Sequence, residues 1–305
     1  MHLRHLGYAC KNVTLARDTG KTFRLASLTP ERVTETVNAN LDALLAILRW
    51  NAERGIRFLR VSSDIVPFAS HPSFTLDWQA AFAGRLGEVR AVAEASGVRL
   101  SMHPGQFTVL SSPRPDVVEA SLRELEYQAA FVHAIDPDEG TLTLHVGGAY
   151  GDKASAIERF AHSFARLSPL AQSVLILEND DKVYHTDDVL PFCERLGVPM
   201  VFDFFHHIVF HADGRKEAGL LDALDRIVAT WGDRVPKFHL SSAREGGPKA
   251  AHAELVLEDD LAAAVGLMEQ VGGDEPYDVM IEAKQKECAV LPLLGFQRGA
   301  VSVAG

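Results

Sequence analysis

The sequence predicts a single-domain (β/α)8 barrel, a TIM barrel spanning residues 1–305, on three observations. Eight short apolar runs recur along the chain, segments of helical periodicity separate most of them, and no linker-like stretch divides them. Strand–helix alternation implies parallel pairing, and eight such units in a chain longer than roughly 250 residues suit closure into a barrel.

In order, the strand candidates are LRHLGYA (3–9), IRFLRVSS (56–63), VRLSMH (98–103) and TLTLHV (141–146). VLILEN (174–179), PMVFDF (199–204), PKFHLSS (236–242) and DVMIEA (278–283) complete the set. Between the first two lies PERVTETVNANLDALLAILRWNAERG, where Val33, Val37, Leu41, Leu44, Leu45 and Leu48 recur at helical spacing and Gly55 offers a stop.

Composition narrows the function classes. Hydrophobic residues make up 47% and charged residues 23%, ample for a large core. No apolar run approaches the roughly 18 residues of a membrane span, and the N-terminus lacks the apolar core of a secretory signal. Three cysteines without CxxC spacing argue against a disulfide framework or zinc ribbon, and a reducing cytoplasm is the expected location. A net charge of −11 argues against a nonspecific nucleic-acid coat, although local fields govern a site. Thirteen histidines, several in strand-like runs, give the first functional hint.

Side chains in a strand alternate faces with period two. In VRLSMH, Leu100 and Met102 oppose Arg99, Ser101 and His103. In TLTLHV, Leu142 and Leu144 oppose Thr141, Thr143 and His145. The same division sets Glu178 against Leu175 and Leu177, and Asp203 against Met200 and Phe202. Lys237 and His239 oppose Phe238 and Leu240, and Glu282 opposes Val279 and Ile281. With the apolar pairs facing helices, the ionisable set points inward near the carboxyl ends, where barrel active sites form.

Any one of these residues read alone is a cap or a satisfied core group, and Lys237 could simply neutralise Glu178. Three carboxylates converging with three histidines, however, need a cation, because buried charges must be paired or metal-bound. Mixed imidazole and carboxylate ligation suits manganese, zinc or iron(II). His206, just beyond strand six, and His252, on the loop after strand seven, enlarge the set beyond one ion's needs and point to a cluster of two or three.

The motifs LGYACKN, RVSSDIVPFASHP, SMHPGQF, LHVGGAYGDK, LENDD, VFDFFHH, KFHLSS and MIEAKQKE span nearly the whole chain. Together they resemble the UV damage endonucleases, barrel nucleases related to endonuclease IV. The resemblance implies nicking immediately 5′ to a distorting lesion in double-stranded DNA, leaving a 3′-hydroxyl and a 5′-phosphate. It implies three divalent ions, manganese expected and zinc the alternative. By motif, His103, His145 and Glu178 hold one ion. Glu178 bridges to a second held also by Asp203, His239 and Glu282, and His206 and His252 help to hold the third. Where endonuclease IV carries an aspartate two residues before the His252 equivalent, this chain has Ala250, which leaves that ion short of a carboxylate. The resemblance suggests that Lys237 supplies the missing oxygen after carboxylation; the alternative is a charged lysine on the scissile phosphate. Paired ions of this kind activate water and clamp the attacking and leaving oxygens, so no serine or cysteine nucleophile is needed. Glu178 is the residue whose loss should matter most.

For lesion recognition, Gln106 and Phe107 match the family's glutamine–tyrosine probe pair, with phenylalanine keeping the ring and losing the hydroxyl. Tyr8 and Asn12 match positions lining the family's lesion pocket, and His71 is a further candidate for DNA contact. Plainer readings are loop packing for Phe107 and barrel filling for Tyr8. Lys153, Lys284 and Lys286 are candidate phosphate contacts. No membrane and no obligatory protein partner is implied. The competing function is a metal-dependent sugar isomerase or epimerase on the same barrel. Abasic-site cleavage could accompany the repair activity, and a purely structural metal cluster is the non-enzymatic alternative.

Overall fold

The computed structural model describes residues 1–211 and 219–297. Its eight main strands, all parallel, close into one barrel in chain order. They are His2–Ala9, Phe58–Arg60, Arg99–Met102 and Thr141–His145, then Leu175–Glu178, Met200–Asp203, Lys237–Leu240 and Pro276–Ile281. These are strands one to eight below. A two-stranded hairpin, Lys11–Asn12 with Arg17–Asp18, stands on the loop after strand one and had no signal in the apolar pattern.

Among the described residues ten α-helices cover the barrel: α1 Pro30–Glu53, α2 Trp78–Ser96, α3 Pro115–Ile135, α4 Lys153–Phe164 and α5 Pro169–Val174, then α6 Thr186–Leu196, α7 Phe204–His211, α8 Leu220–Ala229, α9 Glu258–Met268 and α10 Glu287–Val290. Local chemistry sets their ends. Thr29 caps α1 by accepting from the Arg32 amide, Pro30 opens its first turn, and the chain turns at Gly55. Asp152 caps α4 by accepting from the Ser155 amide. In α1, Val33, Val37, Leu41, Leu44 and Leu48 make the face that packs on the barrel, as the spacing predicts.

The face assignment by parity holds at the level of packing. Leu100, Met102, Leu142, Leu144, Leu175, Leu177, Met200, Phe202, Phe238, Leu240, Val279 and Ile281 all join the single large cluster shared with the helices. The inward residues form separate small groups: Phe58, Ala9 and Met280 in one, Ile176, Val201 and Trp231 in another. Strands one and two approach closely at Gly7, where a Cβ would lie 2.3 Å from the Phe58 carbonyl oxygen, so no larger residue fits.

The barrel floor is ionic. Asp278, fully buried, accepts from Arg4 Nε at 2.9 Å and Nη2 at 2.6 Å, and from Arg99 Nη1 at 2.8 Å. Glu139 takes the remaining fork of Arg4. Charges excluded from water need such pairing. Among the described residues no helix is long and apolar enough to cross a membrane.

Candidate metal centre and the barrel rim

The strand-borne candidate ligands sit at or just past the ends of their strands, except Lys237, which opens strand seven. His145 and Glu178 are the last residues of strands four and five and face one another in register. Asp203 and His239 pair likewise across strands six and seven. His103 and Glu282 lie one residue beyond strands three and eight. His206 is delivered by α7, which starts directly after Asp203. His252 returns through an antiparallel bridge to Ala243, which brings a loop residue back to the end of strand seven.

These side chains converge on Glu178. Its Oε2 lies 3.3 Å from His103 Nε2 and 3.6 Å from His145 Nε2. Its Oε1 lies 2.9 Å from His239 Nδ1 and 3.7 Å from His206 Nδ1. Glu282 Oε1 is 3.3 Å from His239 Nδ1, and its Oε2 is 3.9 Å from His252 Nδ1. Two trios share the central carboxylate: His103, His145 and Glu178, and Glu178, Asp203 and His239, with ligand atoms within 4.8 Å of one another in each.

The electrostatics is that of a site wanting cations. Burial alone would raise Glu178, but His239 and His145 overcome it and hold the carboxyl well below its usual range. Burial pushes Asp203 up to about 7 against the opposing pull of His206. His206 in turn is pushed up to about 9: burial works against its charge, and the Asp203 and Glu178 carboxylates outweigh it. Glu178 Oε2, Asp203 Oδ2, His145 Nδ1 and His239 Nε2 are buried without hydrogen-bond partners. Orphaned buried polar atoms carry a desolvation penalty. Two of them, Glu178 Oε2 and Asp203 Oδ2, are carboxylate oxygens of the two trios, and with the imidazoles beside them they make a mixed N/O set of the kind manganese, iron or zinc takes, so the residues fit divalent ions.

Lys237 lies inward, fully buried, and donates to Thr143 Oγ1 at 2.6 Å. Burial, with Arg99 and Arg60 adding repulsion, drives its amine well below the usual lysine range. Ala250, where the related pattern has an aspartate, lines a cavity of about 530 Å³ in which Asp181 is the acidic neighbour.

Two residues that hold the site escaped the sequence reading. Arg60, at the end of strand two, places Nη1 2.5 Å from Glu282 Oε1 and fixes that carboxylate. Parity applied to strand two would have found it, since Arg60 shares the inward face of Phe58. Asn179 is buried, donates Nδ2 to the Asp203 carbonyl at 3.1 Å, and accepts from the Asp203 amide at 2.9 Å. Its own carbonyl meets His206 Nδ1 at 2.9 Å, so one asparagine orients two candidate ligands.

The rim is uneven. Gln106 and Phe107 occupy the centre of a tight turn closed by the Thr108 amide donating to the Gly105 carbonyl at 3.0 Å, and the next amide, Val109, is pinned to Ser121 Oγ. The turn holds Phe107 84% exposed, the largest exposure of any bulky apolar residue described, which rules out loop packing. His71 is half-buried on the loop after strand two, its Nδ1 accepting from the Ser73 amide at 3.1 Å.

Tyr8 and Asn12 are hydrogen-bonded to each other beneath the loop after strand one. Tyr8 faces the helices, not the barrel mouth: its hydroxyl donates to Asn51 of α1 at 2.7 Å and accepts from Asn12 Nδ2 at 2.8 Å. Both are buried, so in this structure they brace the loop after strand one and present nothing to a ligand. Of the candidate phosphate contacts, Lys153 is paired with Asp188 at 2.7 Å and Lys284 with Glu254 at 3.2 Å, while Lys286 is half-buried with its amine lowered by burial.

Comparison with known proteins places this geometry. The family model of UV-endonuclease UvdE matches residues 4–301. A UV DNA damage endonuclease of Clostridium perfringens is 30% identical over 94% of this chain and 69% of its own length. One from Bacillus velezensis is 34% identical over 97% of this chain and 92% of its own. The crystal structure of SacUVDE superposes with a TM-score of 0.86 at 36% identity, covering 95% of this chain and 96% of that one. The chain belongs to the UV-endonuclease UvdE family.

Proposed function

We propose that this chain is a metal-dependent endonuclease that acts on UV-damaged double-stranded DNA, cutting immediately 5′ to the lesion to leave a 3′-hydroxyl and a 5′-phosphate. The observation that carries the reading is the convergence of His103, His145, His239 and Asp203 on the buried Glu178, with carboxylate oxygens of Glu178 and Asp203 left unpartnered. Family membership supports it over the sugar isomerase or epimerase alternative.

The proposed complement is three divalent ions, manganese first and zinc the alternative. His103, His145 and Glu178 would hold one. Glu178, Asp203, His239 and Glu282 would hold a second, and His206 and His252 would serve the third. Ions of this kind supply water activation and charge compensation at the phosphate. The chain's own residues do the rest. Glu178 ties the sites together, Asn179 fixes Asp203 and His206, and Arg60 orients Glu282. Lys237 is read as carboxylated: its buried amine favours the neutral form, whose lone pair can take up carbon dioxide with loss of a proton. An intact mass showing an unmodified amine in protein that holds three ions would overturn that assignment.

Cutting beside a lesion requires an unstacked backbone, at a cost of a few kcal/mol that is smaller for damaged bases. Phe107 is the proposed wedge and Gln106 its polar partner, offered to the duplex by a turn that already holds them out of the protein. His71 is a secondary candidate contact. The test is incubation with manganese and an irradiated, end-labelled duplex beside an undamaged control. Nicking confined to the irradiated strand 5′ to the lesion is the expected result.

A further inference from the structure

The loop after strand four, LHVGGAYGDK, carries an aromatic that the metal centre does not use. Tyr150 is 53% exposed, and its backbone has a φ of 52°, a left-handed conformation disfavoured for a bulky side chain. Strain of this kind persists only where the surroundings hold it, and it concentrates at ligand-contacting sites. Here the surroundings are specific. The ring lies over Gly148, where a Cβ would come within 3.1 Å of Tyr150 Cε2 and Cζ. The Arg159 guanidinium sits 5.6 Å from the ring centroid.

The same loop is locked to the one that carries Phe107. Gly147, with a φ of 96°, approaches so closely that a Cβ would lie 2.6 Å from Val109 Cγ1 and 3.0 Å from Ser111 Oγ. Ser111 Oγ donates to the Gly148 carbonyl at 3.3 Å, and Arg159 Nε donates to the Ser111 carbonyl at 2.8 Å. Arg159 therefore supports the Tyr150 ring and anchors the Phe107 loop with one side chain. Val109 and Ser111 lie only two and four residues beyond Phe107, so the two exposed rings are set in fixed relation on adjacent loops at the carboxyl face of the barrel.

We propose that Tyr150 is a second aromatic contact for the damaged duplex, held in place beside Phe107 by the interlocked loops that carry the two rings. The proposal rests on the nuclease reading above. Its ligand is a nucleobase or deoxyribose face next to the unstacked lesion, and the ring, more than the hydroxyl, makes the contact. Base–aromatic stacking is tolerant of sequence, which suits a residue that must serve lesions in any context.

The test uses the full chain loaded with manganese and compares Tyr150→Ala, Tyr150→Leu, Tyr150→Phe and Tyr150→Trp. Affinity is read by fluorescence anisotropy on irradiated and undamaged duplexes, and unstacking by a 2-aminopurine placed beside the lesion. Tyr150→Ala and Tyr150→Leu should each weaken binding to irradiated DNA about tenfold or more and reduce the 2-aminopurine signal. Tyr150→Phe and Tyr150→Trp should stay near wild type, with metal content and melting temperature unchanged throughout. Full affinity in Tyr150→Leu would overturn the proposal, as would losses that track falling melting temperature or metal content. If the wild-type protein itself fails to nick irradiated DNA, the nuclease reading falls and takes this one with it; wild-type nicking with an unaffected Tyr150→Ala removes this proposal alone.

Discussion

Replacing Asp278 by asparagine isolates the ionic floor beneath the site. The carboxylate accepts three charge-assisted hydrogen bonds, two from Arg4 and one from Arg99. Arg4 is partly exposed and keeps its paired contacts with Glu139, so it has an alternative. Arg99 has no other carboxylate: its side chain is 2% exposed, its remaining hydrogen-bond partners are the neutral carbonyls of Glu139 and Val235, and the Phe58 and Trp231 rings flank it. Breaking a buried pair by removing one partner costs about 3–5 kcal/mol, and because Arg4 is compensated the lower end, about 3 kcal/mol, is expected here. In a chain of this size that corresponds to a fall of roughly 6 °C in melting temperature. The pH dependence has a definite sign. Arg4 and Arg99 overcome the effect of burial and hold Asp278 below its usual value of 3.8. Its contribution is therefore complete above that value and is lost as pH falls through the lower folded-state value. Thermal or urea unfolding of the two proteins should show the full deficit at neutral pH and a closing gap in acid. A deficit under about 1 kcal/mol, or one that stays constant into acid, would refute the assignment of an unpaired buried arginine as its cause.

Two further substitutions address the site. Glu178→Gln keeps the shape of the shared side chain but removes its charge; it should lower metal content and reduce nicking by more than the 10- to 100-fold, roughly, that loss of an outer supporting group causes, with metal analysis and a single-turnover assay as the readouts. Phe107→Ala should lower cleavage of irradiated duplex by about five- to 100-fold, in line with stacking energies of about 1–3 kcal/mol, while Phe107→Tyr retains it and metal content stays constant in both; equal rates for Phe107→Ala and wild type would remove the wedge.

The barrel and its cluster of candidate ligands were legible because one rule, the two-residue alternation of a strand, decides which side chains enter the barrel. It brought His103, His145, Glu178, Asp203, His239 and Glu282 to one end, where the structure has them, while Lys237 opens strand seven beside Asp278 and meets Thr143 below them. Its reach ends with the strand. His252 depends on an antiparallel return of its loop, and the hairpin at Lys11–Asn12 on backbone pairing too short to leave a pattern. Tyr8 shows the converse: alternation sends it to the helices beside Leu6, where Asn51 and Asn12 satisfy its hydroxyl, although its motif pointed to the lesion. Arg60 and Asn179 act through other residues, Glu282 in one case and Asp203 with His206 in the other, and such support is visible only once the partners are placed.

The most direct measurement is strand cleavage by the manganese-loaded protein on an end-labelled duplex bearing a single defined photoproduct, with the undamaged duplex and Glu178→Gln run in parallel. The account predicts one product, ending in a 3′-hydroxyl immediately 5′ to the lesion, made by the wild-type protein alone and only on damaged DNA. Equal cutting of both duplexes, no cutting of either, or full activity in Glu178→Gln would contradict it.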